Sequence, residues 1–125
     1  MQALTEIPPL TQTIKAPEHI EQVRFINWFR DNFHDCFIFA VPNGGKRGIM
    51  EAKRLKAEGV TSGVSDLIIL RPNGKVLFLE MKTIKGKLSK EQIKFFDMLE
   101  VMGFDYIVGY GASDASKKIL EKMKG

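Results

Sequence analysis

Cysteine occurs once in this 125-residue sequence, at Cys36, so no internal disulfide can form and a reducing, cytoplasmic setting is expected. Histidine occurs twice, and neither His19 nor His34 has a partner at metal-ligand spacing, which excludes a His/Cys zinc site. No Gly-Lys-Ser/Thr follows the Gly44-Gly45 pair, so a nucleoside-triphosphate phosphate loop is excluded too. No apolar run approaches the roughly 20 residues that span a bilayer, and the polar first residues lack a basic-then-apolar leader pattern. Neither a membrane partner nor a leader is therefore expected. Internal repeats and low-complexity tracts are absent. With 44% hydrophobic residues, the chain can build one core and is too short for two ordinary domains.

The net charge of +4 is small, but its distribution is uneven. Residues 45–94 hold twelve of the nineteen Lys/Arg and five of the fifteen Asp/Glu, a local balance of +7, which leaves −3 elsewhere. Such a belt suits a polyanionic substrate, and it equally describes a solvated lysine-rich surface.

Hydrophobic periodicity and breakers give the order α-β-α-β-β-α-β-α, a mixed sheet flanked by helices in the α/β class. Residues 1–16, with Pro8 and Pro9 and little periodicity, read as a loose arm, and 17–125 as a single domain. A first helix over 18–32 is expected to turn Ile20, Val23, Ile26 and Phe29 inward. The strand 36–41 follows, with Cys36 packing rather than reacting, and stops at Pro42-Asn43-Gly44-Gly45. A basic helix over 49–58 ends against Gly59. Two apolar strands, 64–70 (VSDLIIL) and 76–81 (VLFLEM), flank the turn Arg71-Pro72-Asn73-Gly74-Lys75. Ser89 begins a helix with Ile93, Phe96, Leu99 and Met102 on one stripe, ending at Gly103. A strand over 106–110 and a last helix capped by Ser113-Asp114 complete the order.

The chemistry concentrates in the hairpin. Asp66 and Glu80 each lie in an apolar strand, where a lone carboxylate is costly. If Leu70 pairs with Val76, Asp66 falls opposite Glu80 on one face, their Cβ atoms about 4.5–5.5 Å apart. Like charges so placed repel unless a cation lies between them. Alternation sends Lys82 to the same face as Glu80, about 6.6–6.8 Å further along. Two carboxylates beside an ammonium are the parts for phosphodiester hydrolysis with Mg²⁺ or Mn²⁺, which prefer oxygen ligands. The backbone carbonyl of Met81 offers one more oxygen, while its side chain faces the core. Each acid alone also reads as an ordinary polar residue of a strand end or surface.

The pattern resembles the PD-(D/E)xK nucleases, and within them the virus-type replication-repair nuclease (VRR-NUC) domain. The matching stretches are Pro42-Asn43-Gly44-Gly45, Leu55-Lys56-Ala57-Glu58-Gly59-Val60, Gly63-Val64-Ser65-Asp66-Leu67, Glu80-Met81-Lys82 and Leu88-Ser89-x-x-Gln92, preceded by a helix with Glu18, Gln22 and Trp28. They cover roughly residues 18–110. Ser65 stands where the family usually has proline, a backbone feature rather than a ligand.

The resemblance implies a restriction-endonuclease-like core, with Asp66 and Glu80 as metal ligands and Lys82 as the catalytic lysine. It places Gln92 facing the site, although Ser89-x-x-Gln92 is also a capping box, and both roles can hold. It adds an acid from the first helix, for which Glu18 and Glu21 compete, the other being an ordinary solvated glutamate. It further implies a bacterial or phage-encoded protein. Lys85, Lys87 and Lys90 are candidates for DNA backbone contacts, as are Asn43, Lys46 and Arg47, unless the segment holding these last three is a plain loop.

Together these readings anticipate an Mg²⁺/Mn²⁺-dependent DNA endonuclease with a branched, four-way-junction substrate, both strands of which it could cut if it acts as a homodimer, the oligomeric state being left open. A DNA-binding protein that does not cut and a sequence-specific restriction-type nuclease are the rivals.

Overall fold

The computed structural model describes residues 6–9, 17–42 and 48–124. Four helices and four strands follow in the expected order: α1 (Glu18–Asn32), β1 (Phe37–Ala40), α2 (Ile49–Ala57), β2 (Leu67–Arg71), β3 (Lys75–Lys82), α3 (Lys90–Met102), β4 (Asp105–Tyr110) and α4 (Ala112–Met123). The strands form one sheet in the order β1-β2-β3-β4. The first three are antiparallel, and β3 pairs parallel with β4. A parallel pair needs a long crossover, which α3 supplies. The short turn Pro72–Gly74 closes the β2–β3 hairpin with Leu70 opposite Val76.

Alternation along β3 splits the protein into two apolar layers. Leu77, Leu79 and Met81 point to one face, where Phe25, Trp28 and Phe29 of α1 and Ala112, Ala115 and Ile119 of α4 complete the main core. Each large side chain so buried contributes roughly 1.5–3 kcal/mol. Gly109 lets α4 lie directly on β4, since a Cβ there would come within 2.5 Å of the Ala115 Cβ. Phe78 points to the other face and meets Phe95 and Phe104 edge-on at 5.7 and 5.6 Å, while Phe96 stacks on Tyr106 at 4.8 Å. These ring contacts hold α3 over the face that also carries Glu80.

Several expectations need correction. Ile20 and Val23 are about half exposed (49% and 44%), and the buried stripe of α1 is Glu21, Phe25, Trp28 and Phe29. The large rings decide the helix rotation because they bury more area than the aliphatics. On α3 only Phe96 and Leu99 are buried, leaving Ile93 and Met102 exposed. Residues 64–66 precede β2 rather than belong to it, and β1 spans only Phe37–Ala40. Cys36 is half-buried against the core, and burial, with Asp35 beside it, pushes its thiol up to about 11.

The cap of α4 is not Ser113-Asp114. The helix starts after Gly111, and the Ala112 amide donates at 3.3 Å to Glu21 Oε1 from α1. Asp114 instead accepts from the Tyr110 amide at 2.9 Å. Ahead of α1, Ile7 packs on the core, and Arg24, one turn on from Glu21, donates to the Pro9 carbonyl.

Candidate active site

The hairpin register fixes the first two acids. Leu67 pairs with Leu79, so Asp66, one residue before β2, falls across from Glu80. Asp66 Oδ2 accepts from the Met81 amide at 2.9 Å, tying its carboxylate to the strand that carries Glu80. Its own carbonyl accepts from the Val41 amide at 2.8 Å, just past β1. The Ser65 hydroxyl, fully buried, donates to the Leu67 carbonyl at 3.2 Å, which satisfies the serine where the resemblance calls for proline.

Glu18, from the first turn of α1, is the third acid. One carboxylate oxygen from each of Glu18, Asp66 and Glu80 lies within 4.8 Å of the others. Lys82 Nζ stands 4.0 Å from Glu80 Oε2. Glu21 is not part of this cluster and is not a solvated glutamate either. It is 5% exposed, paired with Arg24 at 2.6 Å and bonded to the Ala112 amide. Pattern reading missed this because a charged residue is normally assigned to the wet side of a helix.

Gln92 takes both roles weighed for it. Its side-chain Oε1 accepts from the Ser89 amide at 2.8 Å and its amide donates to Ser89 Oγ at 3.1 Å, a complete capping box. Its Nε2 donates to Glu80 Oε2 at 3.0 Å. The cap therefore orients the side chain that holds Glu80. Gly63 lets the first turn of α3 come this close. Its φ is +85°, and a Cβ there would lie 2.4 Å from the carbonyl carbon and oxygen of Glu91. Sequence reading gave Gly63 no such contact, although its place three residues before Asp66 was a signal.

The electrostatics of the cluster are unfavourable as they stand. Glu80 is 2% exposed, and burial pushes its carboxyl up to about 8, aided by Asp66 and Glu18 and opposed by Lys82. Burial and Asp66 also raise Glu18 above the usual carboxylate range, again against Lys82. At an effective dielectric of ~20, two ionised groups under 5 Å apart repel by roughly 3–4 kcal/mol. One hydrogen bond to a charged group returns only about 1.5–3 kcal/mol. Glu80 Oε1 is buried with no hydrogen-bond partner among the described residues. Three oxygen donors with an unsatisfied buried lone pair suit a hard divalent cation.

The other candidates lie around this centre. The Met81 side chain is fully buried in the main core, and its amide is the donor to Asp66. Lys85 and Lys87 are exposed in the segment that joins β3 to α3, and Lys90 is exposed at the start of α3. Asn43, Lys46 and Arg47 lie outside the described residues. His19 and His34 are both exposed and stand outside the acidic cluster. No described helix is long and apolar enough to cross a membrane.

Comparison with known proteins bears on the family and the fold. The VRR-NUC domain profile matches residues 8–113. One solved structure, described as a VRR_NUC domain protein, superposes with a TM-score of 0.70 at 24% identity, covering 86% of this chain and 88% of its own. Another, described as a VRR_NUC domain, has a TM-score of 0.57 at 19% identity, covering 81% of this chain and 95% of its own. At these identities the two structures establish the shared fold. No curated protein matches the chain.

Proposed function

The chain belongs to the VRR-NUC family of nuclease-type domains, and from that premise we propose that it is a Mg²⁺- or Mn²⁺-dependent DNA endonuclease acting on branched DNA. The observation that carries this reading is the acidic cluster: three carboxylates within 4.8 Å, one of them buried with an unsatisfied oxygen, and an ammonium 4.0 Å from it.

Glu18, Asp66 and Glu80 would hold the cation, with the Met81 carbonyl as a further oxygen. When bound, the ion lowers the pKa of a water and draws charge from the scissile phosphate. Lys82 orients the attacking water and stabilises charge on the phosphoryl oxygens. Gln92 keeps the Glu80 carboxylate in place. Lys85, Lys87 and Lys90, with Asn43, Lys46 and Arg47, contact the DNA backbone. A basic domain of this size has little surface for base readout, which favours selection by shape. Two copies would bring two sites to opposite strands of a four-way junction, and exposed Met98, Val101 and Met102 on α3 offer apolar surface for pairing.

Incubation with four-way and linear DNA, in Mn²⁺ or in EDTA, tests the reading. Metal-dependent nicking of the junction, lost in Asp66→Ala and Lys82→Ala, is the expected result. Binding without nicking in any metal would mark a protein that only binds DNA. A fixed fragment pattern from long linear duplex would mark a sequence-specific nuclease.

A further inference from the structure

A second feature beside the acids has no role in that reaction. None of the nine residues of α2 is buried, although a helix this short is marginal in water without a packed face. Exposed Ile49 and Met50 stand at its start, and Lys53 and Lys56 further along. A cavity of about 560 Å³ lies between α2 and residues 59–63, reaching Leu55 and Lys56. A second, of about 300 Å³, opens beside Asp66, Ser89 and Gln92. Ser62 and Gly63 line both. The two cavities adjoin at Ser62 and Gly63, so together they lead from Lys56 toward Asp66.

Charge is distributed along the groove in a telling way. Arg54 is paired with Glu58 at 3.2 Å, whereas Lys56 forms no ion pair among the described residues. Among the residues that line the two cavities, Lys56 is the cation, and Asp66 and Glu91 line the far end. Gly63, seated against the backbone of Glu91, brings this segment directly onto the first turn of α3.

We infer that this groove is a binding subsite for the DNA strand flanking the scissile phosphate, with the Lys56 ammonium on a backbone phosphate of that strand. The choice of DNA as occupant rests on the nuclease reading. The occupant lies along the side of α2 that carries Ala52, Leu55 and Lys56. Contact with phosphate makes the subsite indifferent to base sequence and sensitive to salt.

The test is binding of a fluorescent four-way junction in Ca²⁺, over a salt series, for the wild-type protein, Lys56→Ala and Lys56→Glu. Loss of one phosphate contact lowers the salt slope by about one and the affinity about eightfold at 0.1 M salt. Shortening the flanking strand should cost the wild-type protein the same factor and leave Lys56→Ala unaffected. The divalent-ion-dependent rise in melting temperature should persist in both variants, which shows the acids and the fold intact. Wild-type affinity and slope in both variants overturn the subsite, as does an unchanged response to strand shortening in Lys56→Ala. If the wild-type protein never nicks DNA but the Lys56 variants weaken binding as stated, the nuclease reading falls and the subsite stands. Nicking with no effect at Lys56 gives the reverse.

Discussion

Replacing Glu80 by glutamine should stabilise the metal-free protein in alkaline solution and make it blind to divalent cations. The Glu80 carboxyl titrates near 4.5 when exposed and near 8 in the fold, raised chiefly by burial. Between those values the folded chain keeps a proton that the unfolded chain has released, so stability present below pH 4.5 is lost as pH rises towards 8. At 1.36 kcal/mol per unit the loss has a ceiling of about 4–5 kcal/mol, and relaxation with water entry brings it to roughly 2–4 kcal/mol. For 125 residues the unfolding entropy is about 0.26 kcal/mol/K, so this corresponds to ~8–15 °C in melting temperature.

In EDTA, about three quarters of that loss falls between pH 5 and pH 8, so wild-type protein should lose ~6–11 °C more than Glu80→Gln over that range. Contributions from Glu18 are common to both proteins and cancel to first order. A cation at a hundred times its Kd adds about 2.7 kcal/mol, or ~10 °C, to the wild-type protein at pH 8, and little to the variant. Differential scanning fluorimetry reads both effects. Parallel pH profiles for the two proteins, or an equal response to Mg²⁺, would refute the reasoning.

Three further substitutions probe the supports of the site. Gln92→Ala removes half of the capping box and the donor to Glu80, so a loss of about 1–2 kcal/mol, ~4–8 °C, should accompany slower nicking. Unchanged nicking rates would leave Gln92 with its capping role alone. Gly63→Ala must strain a positive φ and displace the first turn of α3, and is expected to reduce nicking at least tenfold in a plasmid-relaxation assay, with wild-type rates counting against the packing argument. Glu21→Ala removes the acceptor of the Ala112 amide and the carboxylate partner of Arg24 and should cost about 1–3 kcal/mol in chemical denaturation, while Glu21→Gln keeps the divalent-ion response. Loss of that response in Glu21→Gln would move Glu21 into the ligand set in place of Glu18.

Local chemistry made much of the fold readable from sequence. The Pro-Asn-Gly turn between two apolar strands fixed the hairpin register, and with it the placement of Asp66 against Glu80. Ser89-x-x-Gln92 announced its own cap. What could not be read depended on contacts between distant elements. The rotation of α1 follows from rings that pack on β3 and α4, and helical spacing alone does not reveal that Ile20 and Val23 face out and Glu21 faces in. Ser113-Asp114 has the composition of a cap, yet a carboxylate ninety-one residues earlier does that work. The choice between Glu18 and Glu21 is of the same kind: spacing along one helix carries no information about which side chain meets a hairpin fifty residues away.

The most direct measurement is a crystal structure with Mn²⁺, read by anomalous scattering. The account predicts a peak within ligand distance of Asp66 and Glu80, with Glu18 turned toward it and Lys82 alongside. A site left without a peak at saturating Mn²⁺, or an ion held elsewhere on the surface, would contradict it.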